Sequence, residues 1–144
     1  MQNKLNTQIP YVKIEKYLVN ELLPFWDKNA SYGNGCFVEH FDMTGSPVDP
    51  GFTRVRVQAR QIYVFSHATE AGLYDGRKIS AKAADFLIRS AWLGAEQGWA
   101  KLISRDGQVL DARSDLYDVS FALFALAWAY RVHRIQHYLS IAHQ

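Results

Sequence analysis

The sequence contains a single cysteine, Cys36, and no run of about 18 uncharged apolar residues. One cysteine excludes an intrachain disulfide framework and fits a reducing compartment. The most apolar stretch, residues 119–130, has the length of a buried core helix and is too short to span a membrane. Residues 1–17 also lack the apolar segment and cleavage site of a signal peptide. We therefore expect a cytoplasmic protein with no membrane partner.

A strong charge of one sign is missing as well. Lys and Arg number 16 against 14 Asp and Glu, and the basic residues form no run, so we expect no nucleic-acid partner. The sequence has no phosphate-binding glycine loop and no G-x-S-x-G nucleophile motif. His133 and His137 are four residues apart, but no third ligand accompanies them, and we interpret them as surface residues. We therefore expect neither a cofactor nor a bound metal.

Hydrophobic residues make up 49% of the sequence and aromatic residues 14%, which is enough to form the core of one domain. Apolar spacings of three and four predict helices over residues 9–28, 54–72, 81–98 and 115–144. The first and third have one apolar face, whereas the second and fourth are typical of helices buried between neighbours. This alternation predicts an all-α fold with an inner and an outer layer. A closed ring needs more helices, so we expect residues 1–144 to be a single, partial segment of a longer toroid.

Local signals refine the helix boundaries. Pro24 is expected to kink or end the first helix, Gly72 to terminate the second, and Ser80 to cap the third. Either Asp49 or Thr53 is expected to cap the second helix. The fourth helix shows no stop signal before the end of the sequence.

The segments between the helices predict short β-structure. Residues 36–42 alternate apolar and polar side chains before a glycine-containing turn, and Asp106-Gly107 lies between two alternating runs. We therefore expect short hairpins in the loops. The long irregular section, residues 29–53, is expected to be functional, because loops of this length are uncommon in compact domains.

Polar side chains recur at helical spacing in the second helix, where Arg56, Arg60, Tyr63 and His67 share one face. The pattern fits a stripe facing a cleft, in which an arginine binds substrate oxygens through its rigid fork of donors. It also fits a structural arginine, either buried and paired with a carboxylate of a neighbouring helix or extended along apolar surface with its charge in water. Spacing alone leaves both interpretations open and slightly favours the second.

A second group of polar residues begins the fourth helix. The hydroxyl of Tyr117 can bind a sugar and its ring can stack on one. Alternatively, Asp115 and Asp118 complement the helix dipole and Tyr117 only packs; capping explains Asp115 fully. His40, in the long loop section, is a lone histidine that can face a cleft.

Four pieces of the sequence resemble, in order, those of the N-acylglucosamine 2-epimerase family, which includes mannose isomerases and cellobiose 2-epimerases. They are LLPFW at residues 22–26, GCFVEHFDMTGSP at residues 35–47, RVRVQARQIYVFSHA at residues 54–68 and DGQVLDARSDLYDVSFALFALA at residues 106–127. The resemblance extends over nearly the whole chain. It implies an (α/α)6 barrel of six helical hairpins, of which this chain supplies roughly the first third.

The resemblance also implies a chemistry: proton transfer at the carbon next to a sugar carbonyl, with histidines as general acid and base. An arginine stabilises the enediolate oxygens in such enzymes. Arg60, in QAR, matches this arginine, and Tyr117, in LYD, matches a substrate-contacting tyrosine. Arg56, Tyr63 and His40 are further candidates for binding the sugar.

Two departures from the family pattern limit this expectation. Val119 stands where many relatives carry a His or Gln. The family's catalytic histidines lie on later inner helices, so a chain that ends at residue 144 is expected to be inactive, and whether it is itself an enzyme is left open.

Two alternatives to a sugar epimerase or isomerase remain. The first is a truncated, non-catalytic helical product that self-associates into a homo-oligomer through apolar surfaces. The second is a carbohydrate hydrolase on the same toroid, which requires two carboxylates flanking the scissile bond. Asp115 and Asp118 are near each other in the sequence, but no opposing carboxylate can be named.

Overall fold

The computed structural model describes residues 5–144 and consists of helices linked by two small antiparallel sheets. The helices are α1 (Leu5–Tyr17), α2 (Leu23–Asn29), α3 (Val55–Glu70), α4 (Arg77–Ala91), α5 (Leu116–His133) and α6 (Gln136–Ala142), and a π-helical turn (Leu18–Leu22) joins α1 to α2. The strands are β1 (His40–Phe41), β2 (Pro47–Val48), β3 (Thr53–Arg54), β4 (Leu102–Ile103) and β5 (Val109–Asp111). The predicted helical fold with short hairpins in its loops is confirmed.

The centre of the fold is the pair α3 and α5, which run parallel. Their contacts join start to start and end to end: Arg56 pairs with Asp118, and Glu70 pairs with Arg131. Because α4 returns the chain between them, α3 and α5 lie in one layer and α4 lies in the other. The predicted second and fourth helices are therefore the inner ones.

A three-stranded sheet ties together the starts of the two inner helices. Strand β3 leads directly into α3 and pairs with β4, with Thr53 opposite Ile103, and β4 pairs in turn with β5. The hairpin predicted at Asp106-Gly107 joins β4 to β5, and Gly107 has a φ of +86°. The sheet therefore fixes the beginning of α3 relative to the segment that leads into α5.

Two buried side chains hold the loop before β1 against α3. The Gln58 amide accepts from the backbone N–H of Phe37 at 2.8 Å and donates to its carbonyl at 2.9 Å and to the Thr53 hydroxyl at 2.8 Å. The Glu39 carboxylate accepts from the Thr53 hydroxyl at 2.9 Å and from the Arg54 backbone N–H at 3.0 Å, and it pairs with the Arg54 side chain. Each bond satisfies a group whose burial is costly when it is unpaired.

The predictions for the ends of α3 are half right. Gly72 follows the helix with a φ of +69°, as predicted for a C-terminal glycine. Neither Asp49 nor Thr53 caps the start, because α3 begins after Arg54 with no side-chain cap and the Thr53 hydroxyl is bound to Glu39.

The predicted bounds of α4 are wrong at both ends. Ser80 lies inside the helix, where its hydroxyl donates to the carbonyl of Gly76 at 2.8 Å, and the helix begins earlier, at Arg77. The helix ends at Ala91 instead of near Gly98, because the following Trp92 adopts an extended conformation and forms a β-bridge with Trp99.

Pro24, predicted to kink or end the first helix, follows an interruption of its regular α-helical part. It lies in the first turn of α2, after the π-helical turn, where the missing backbone N–H costs no hydrogen bond within α2. The apolar face predicted for residues 9–28 is covered only in its second half. Tyr11 and Ile14, in α1, are 68% and 66% exposed, whereas Leu23, in α2, is buried.

The predicted fourth helix is also interrupted. Helix α5 ends at His133 because Arg134 takes a left-handed conformation with a φ of 58°, and α6 begins at Gln136. A left-handed arginine carries no sequence signal of the kind that glycine or asparagine provides, which is why the break could not be predicted.

We predict that Gly107→Ala destabilises the fold more than Gly51→Ala. The two glycines have nearly equal φ values, +86° and +83°, so both substitutions incur a similar backbone strain of about 1 kcal/mol. A Cβ at Gly107 would also overlap the Ser90 hydroxyl and lie 3.2 Å from the Ser90 Cβ, whereas a Cβ at Gly51 meets nothing within 4 Å. Urea unfolding should show an additional loss of about 1–2 kcal/mol for Gly107→Ala. Equal losses would contradict the packing of this hairpin on α4.

Candidate functional site

Three of the five predicted site residues meet where α3 and α5 begin. Arg60 Nη2 donates to the Tyr117 hydroxyl at 2.7 Å. The Cζ atoms of Arg56 and Arg60 lie 5.7 and 5.8 Å from the centroid of the Tyr117 ring. The arginines occupy successive turns of α3 and the tyrosine lies in the first turn of α5, so the parallel packing of the two helices produces the contact.

Arg60 is exposed and stacks on an aromatic ring. Its Cζ lies 4.4 Å from the centroid of Phe121, one turn beyond Tyr117 on α5. Among the side chains that the structure describes, those of residues 10–144, it pairs with no carboxylate, and its one hydrogen bond is to Tyr117. Arg60 is therefore not in a buried ion pair, which was one form of the structural interpretation, and its remaining donors face an open surface.

Arg56, in contrast, forms a buried ion pair. Its Nη1 lies 3.0 Å from Asp118 Oδ1 and 3.2 Å from Oδ2, and the Asp118 side chain is completely buried while 22% of the Arg56 side chain is exposed. The Asp118 carboxylate already accepts from one edge of this guanidinium, at Nη1. The geometry therefore fits the ion-pair interpretation of Arg56 better than direct contact with a sugar.

Asp115 fixes the backbone of the site, as predicted. Its Oδ1 accepts from the backbone N–H of Tyr117 at 2.8 Å and caps α5. This hydrogen bond lowers the pKa of Asp115, and Lys101, whose Nζ is 3.7 Å away, acts in the same direction. The carboxylate therefore stays charged near neutral pH and keeps the first turn of α5, including Tyr117, in place.

Tyr63 and His67 belong to a separate aromatic cluster. The Tyr63 hydroxyl is 2.9 Å from His67 Nδ1, and the two rings pack against Phe124 and Trp128, with 4.4 Å between the His67 and Trp128 centroids. His67 is about 10 Å further along α3 than Arg60, at 1.5 Å per residue. The predicted polar stripe is therefore divided between an arginine–tyrosine end and an aromatic end.

His40 is not brought to the other four residues. It is exposed on β1, opposite Val48, and among the described residues no hydrogen bond or ring contact links it to Arg56, Arg60 or Tyr117.

Two contributors were not assigned to the site from the sequence. Phe121 supports the Arg60 guanidinium, and Asp118 holds Arg56. The signal for Phe121 was present, because it lies four residues after Tyr117 and so shares its helix face. The pairing of Asp118 with Arg56 depends on the packing of two helices and has no counterpart in local spacing.

Neither a cluster of metal ligands nor a membrane-spanning helix occurs in the part of the chain that the structure describes. Within residues 5–144, no three His, Cys, Asp or Glu side chains cluster as metal ligands would. No helix in the same range has the length and apolarity needed to cross a membrane.

The architecture defines the class of protein as an (α/α)6 barrel, represented by part of its helical ring. The chain superposes on the structure of a cellobiose 2-epimerase from Spirochaeta thermophila DSM 6192 with a TM-score of 0.88 and 22% identity, over 99% of this chain and 35% of that one. The structure of cellobiose 2-epimerase from Bacillus thermoamylovorans B4167 gives a TM-score of 0.82 with 25% identity, over 96% of this chain and 36% of that one.

The sequence model of N-acylglucosamine 2-epimerase (GlcNAc 2-epimerase) matches residues 35–139, and the chain belongs to the N-acylglucosamine 2-epimerase family. It is 37% identical over 113 residues to a mannose-6-phosphate isomerase from Rhizobium meliloti (strain 1021), an alignment that covers 77% of this chain and 29% of the relative. The chain thus spans about a third of the length of the relatives it matches. The resemblance proposed from four short pieces of sequence is confirmed.

We predict that the exposed and buried halves of the site differ in their effect on stability. Tyr117→Phe should change the free energy of unfolding by less than about 1 kcal/mol, because its hydroxyl bonds an exposed arginine. Asp118→Ala should cost about 3–5 kcal/mol, because it leaves Arg56 partly buried without its partner. Urea unfolding of both variants measures this difference. A loss for Tyr117→Phe as large as that for Asp118→Ala would mean that the Arg60–Tyr117 contact is a structural bond and not an open site.

Proposed function

We propose that the gene product carrying these residues is a sugar epimerase or aldose–ketose isomerase in which Arg60 and Tyr117 bind the reacting end of the sugar. The observation that carries the proposal is the exposed Arg60, bound to Tyr117 and paired with no carboxylate within residues 10–144. Membership of the N-acylglucosamine 2-epimerase family supports this chemistry.

The proposed reaction begins when a base removes the proton from C2 of the open-chain sugar. The electrons of the C–H bond form a C1=C2 double bond, and negative charge develops on the oxygen at C1. Arg60 donates hydrogen bonds to this oxygen, where a fixed cation stabilises the transition state more than the substrate. Return of the proton to C2 from the other face restores the C1 carbonyl and gives the epimer. Its return to C1, with the proton of the O2 hydroxyl passing to O1, leaves the carbonyl at C2 and gives the ketose.

The bases in this proposal are histidines carried by inner helices other than α3 and α5. His67, on α3, is engaged by Tyr63 and stacked on Trp128, about 10 Å along the helix from Arg60. We therefore do not assign His67 as the base. Arg60 and Tyr117 are thus proposed as one part of a site that the complete barrel closes.

The ion pairs around Arg60 leave it as the cation available to a ligand at this end of the helices. The other arginines and the lysine near the starts of α3 and α5 are each paired with a carboxylate: Arg54 with Glu39, Arg56 with Asp118, Lys101 with Asp115, Arg105 with Asp49 and Arg113 with Asp111. Because this part of the site offers one arginine without a carboxylate partner, we propose that Arg60 is the cation that meets the oxygens at the reacting end of the sugar.

The hydrolase alternative has less support, because its two candidate carboxylates are engaged. Asp115 caps α5, and Asp118 is buried against Arg56.

We also propose a cytoplasmic location, which the buried thiol of Cys36 fits. Burial raises the pKa of Cys36 to about 12, so the thiol is unreactive.

The reaction predicts exchange of the sugar C2 proton with solvent. The gene product that carries these residues, incubated in D2O with mannose, N-acetylmannosamine or cellobiose, should incorporate deuterium at C2, seen as loss of the H2 signal by NMR. Arg60→Lys keeps the charge but loses the planar fork and should slow exchange about a hundredfold. The matched control is Arg131→Lys, which changes an exposed arginine at the far end of the inner pair and should exchange at the normal rate.

Exchange with none of the three sugars would count against an epimerase or isomerase. Equal exchange by Arg60→Lys and the unchanged protein would contradict the role of Arg60 while leaving the reaction class intact.

We further propose that the 144-residue chain, produced by itself, self-associates. Leu116 is 85% exposed and Phe124 44% exposed on α5, and Ile135 beyond it is 40% exposed, which leaves apolar surface of the kind that drives association. Light scattering coupled to size exclusion should show species larger than a 16.5 kDa monomer. A single monomer peak with cooperative unfolding would contradict this proposal.

A further inference from the structure

We propose that the buried Arg56–Asp118 ion pair is a positioning pair that orients Tyr117 toward Arg60. The pair reaches the substrate only through Tyr117, so its effect on turnover rests on the function proposed above. Arg56 was predicted to bind the sugar directly, and this inference gives it a different role.

The Arg56–Asp118 pair lies on the buried side of Tyr117, whose own side chain is half exposed. Asp118 is the residue after Tyr117 in the first turn of α5, and its carboxylate holds Arg56 Nη1 at 3.0 and 3.2 Å. The same guanidinium has its Cζ 5.7 Å from the Tyr117 centroid, while the Arg60 Cζ lies 5.8 Å from it. The Tyr117 ring therefore contacts both arginines, and one of those arginines is fixed by a completely buried carboxylate.

Charge explains why the carboxylate is needed. Arg56 and Arg60 are four residues apart on α3, a spacing at which like charges repel each other. Asp118 neutralises Arg56, so the first guanidinium can lie near the ring while Arg60 remains the cation that faces the open side. Without Asp118, two unpaired arginines would compete for the face of one tyrosine.

Stability alone gives a weaker reason for the pair. The attraction between two buried charges must offset the free-energy cost of removing both from water. Replacing such a pair by apolar side chains of similar volume often leaves the protein equally stable or more stable. The location of the pair beside Tyr117 points instead to orientation. A displacement of a substrate-binding group by about 1 Å can slow an enzyme about a hundredfold.

The first test is a double-mutant cycle on C2-proton exchange by the gene product that carries these residues. Asp118→Asn should lower kcat about ten- to a hundredfold. In a Tyr117→Phe background, the same substitution should lower kcat by less than about twofold, because the hydroxyl through which it acts is gone. Multiplicative effects of the two substitutions would overturn the proposal.

The second test does not need activity. With 3-fluorotyrosine placed at Tyr117, Arg60→Met should shift the fluorine resonance by removing the hydrogen bond to the hydroxyl. Asp118→Asn should also shift it, by at least about half as much. The control is Glu70→Gln, which breaks the Glu70–Arg131 ion pair between the same two helices. Glu70 lies about 21 Å along α3 from Arg56, at 1.5 Å per residue, so the substitution should leave the resonance unchanged.

A resonance in Asp118→Asn that coincides with that of the unchanged protein would overturn the proposal. If Asp118→Asn does not fold, Arg56→Lys takes its place: it keeps the charge opposite Asp118 but loses the planar group beside the ring, and it should give an intermediate shift. If the C2 proton exchanges in none of the three sugars, the proposed function is wrong. The fluorine measurement would still decide whether the Arg56–Asp118 pair positions Tyr117.

Discussion

The parallel packing of α3 against α5 is the constraint on which the rest of the structure depends. The buried face of α5 is built largely from small side chains at helical spacing, with Ala122, Ala125 and Ala129 all fully buried. Small residues let two helices approach closely, and this brings each turn of α3 beside the corresponding turn of α5. Every contact of the candidate site, from Arg56 with Asp118 to Arg60 with Tyr117, follows from that alignment.

The β-structure at one end of the helices sets the register of this pair. Strand β3 continues into α3, and the β4–β5 hairpin leads toward α5, so one three-stranded sheet locates both helix starts. Gln58 and Glu39 add buried hydrogen bonds that hold the preceding loop to the same end. These pairings hold the loops between the helices against the starts of α3 and α5, next to the exposed Tyr117 and Arg60.

Local signals in the sequence were sufficient where a glycine or a capping carboxylate decides the structure. Gly72 after α3, the Asp106-Gly107 turn and the Asp115 cap were all predicted correctly, because a positive φ or a capping carboxylate acts over a few residues. Ser80 and Thr53 were misassigned for the opposite reason. Each is a good cap by type, but Ser80 bonds within α4 and Thr53 is bound by Glu39, fourteen residues earlier in the chain.

The two arginines show the same limit within the site. Arg56 and Arg60 are four residues apart and lie on the same face of α3. Periodicity could therefore not show which arginine forms an ion pair and which has donors open to a ligand. The difference arises on α5, where Asp118 points into the core and Tyr117 points outward. Only the packing of the second helix assigns the two roles, although family resemblance had singled out Arg60.

The most direct measurement of this account is a crystal structure of the gene product that carries these residues, bound to an open-chain sugar alcohol that mimics the enediolate. The account predicts that the first two oxygens of the ligand lie within hydrogen-bonding distance of the Arg60 guanidinium and the Tyr117 hydroxyl, with Arg56 still paired to Asp118. A ligand bound elsewhere, or an Arg60 paired with a carboxylate in the complete barrel, would contradict it.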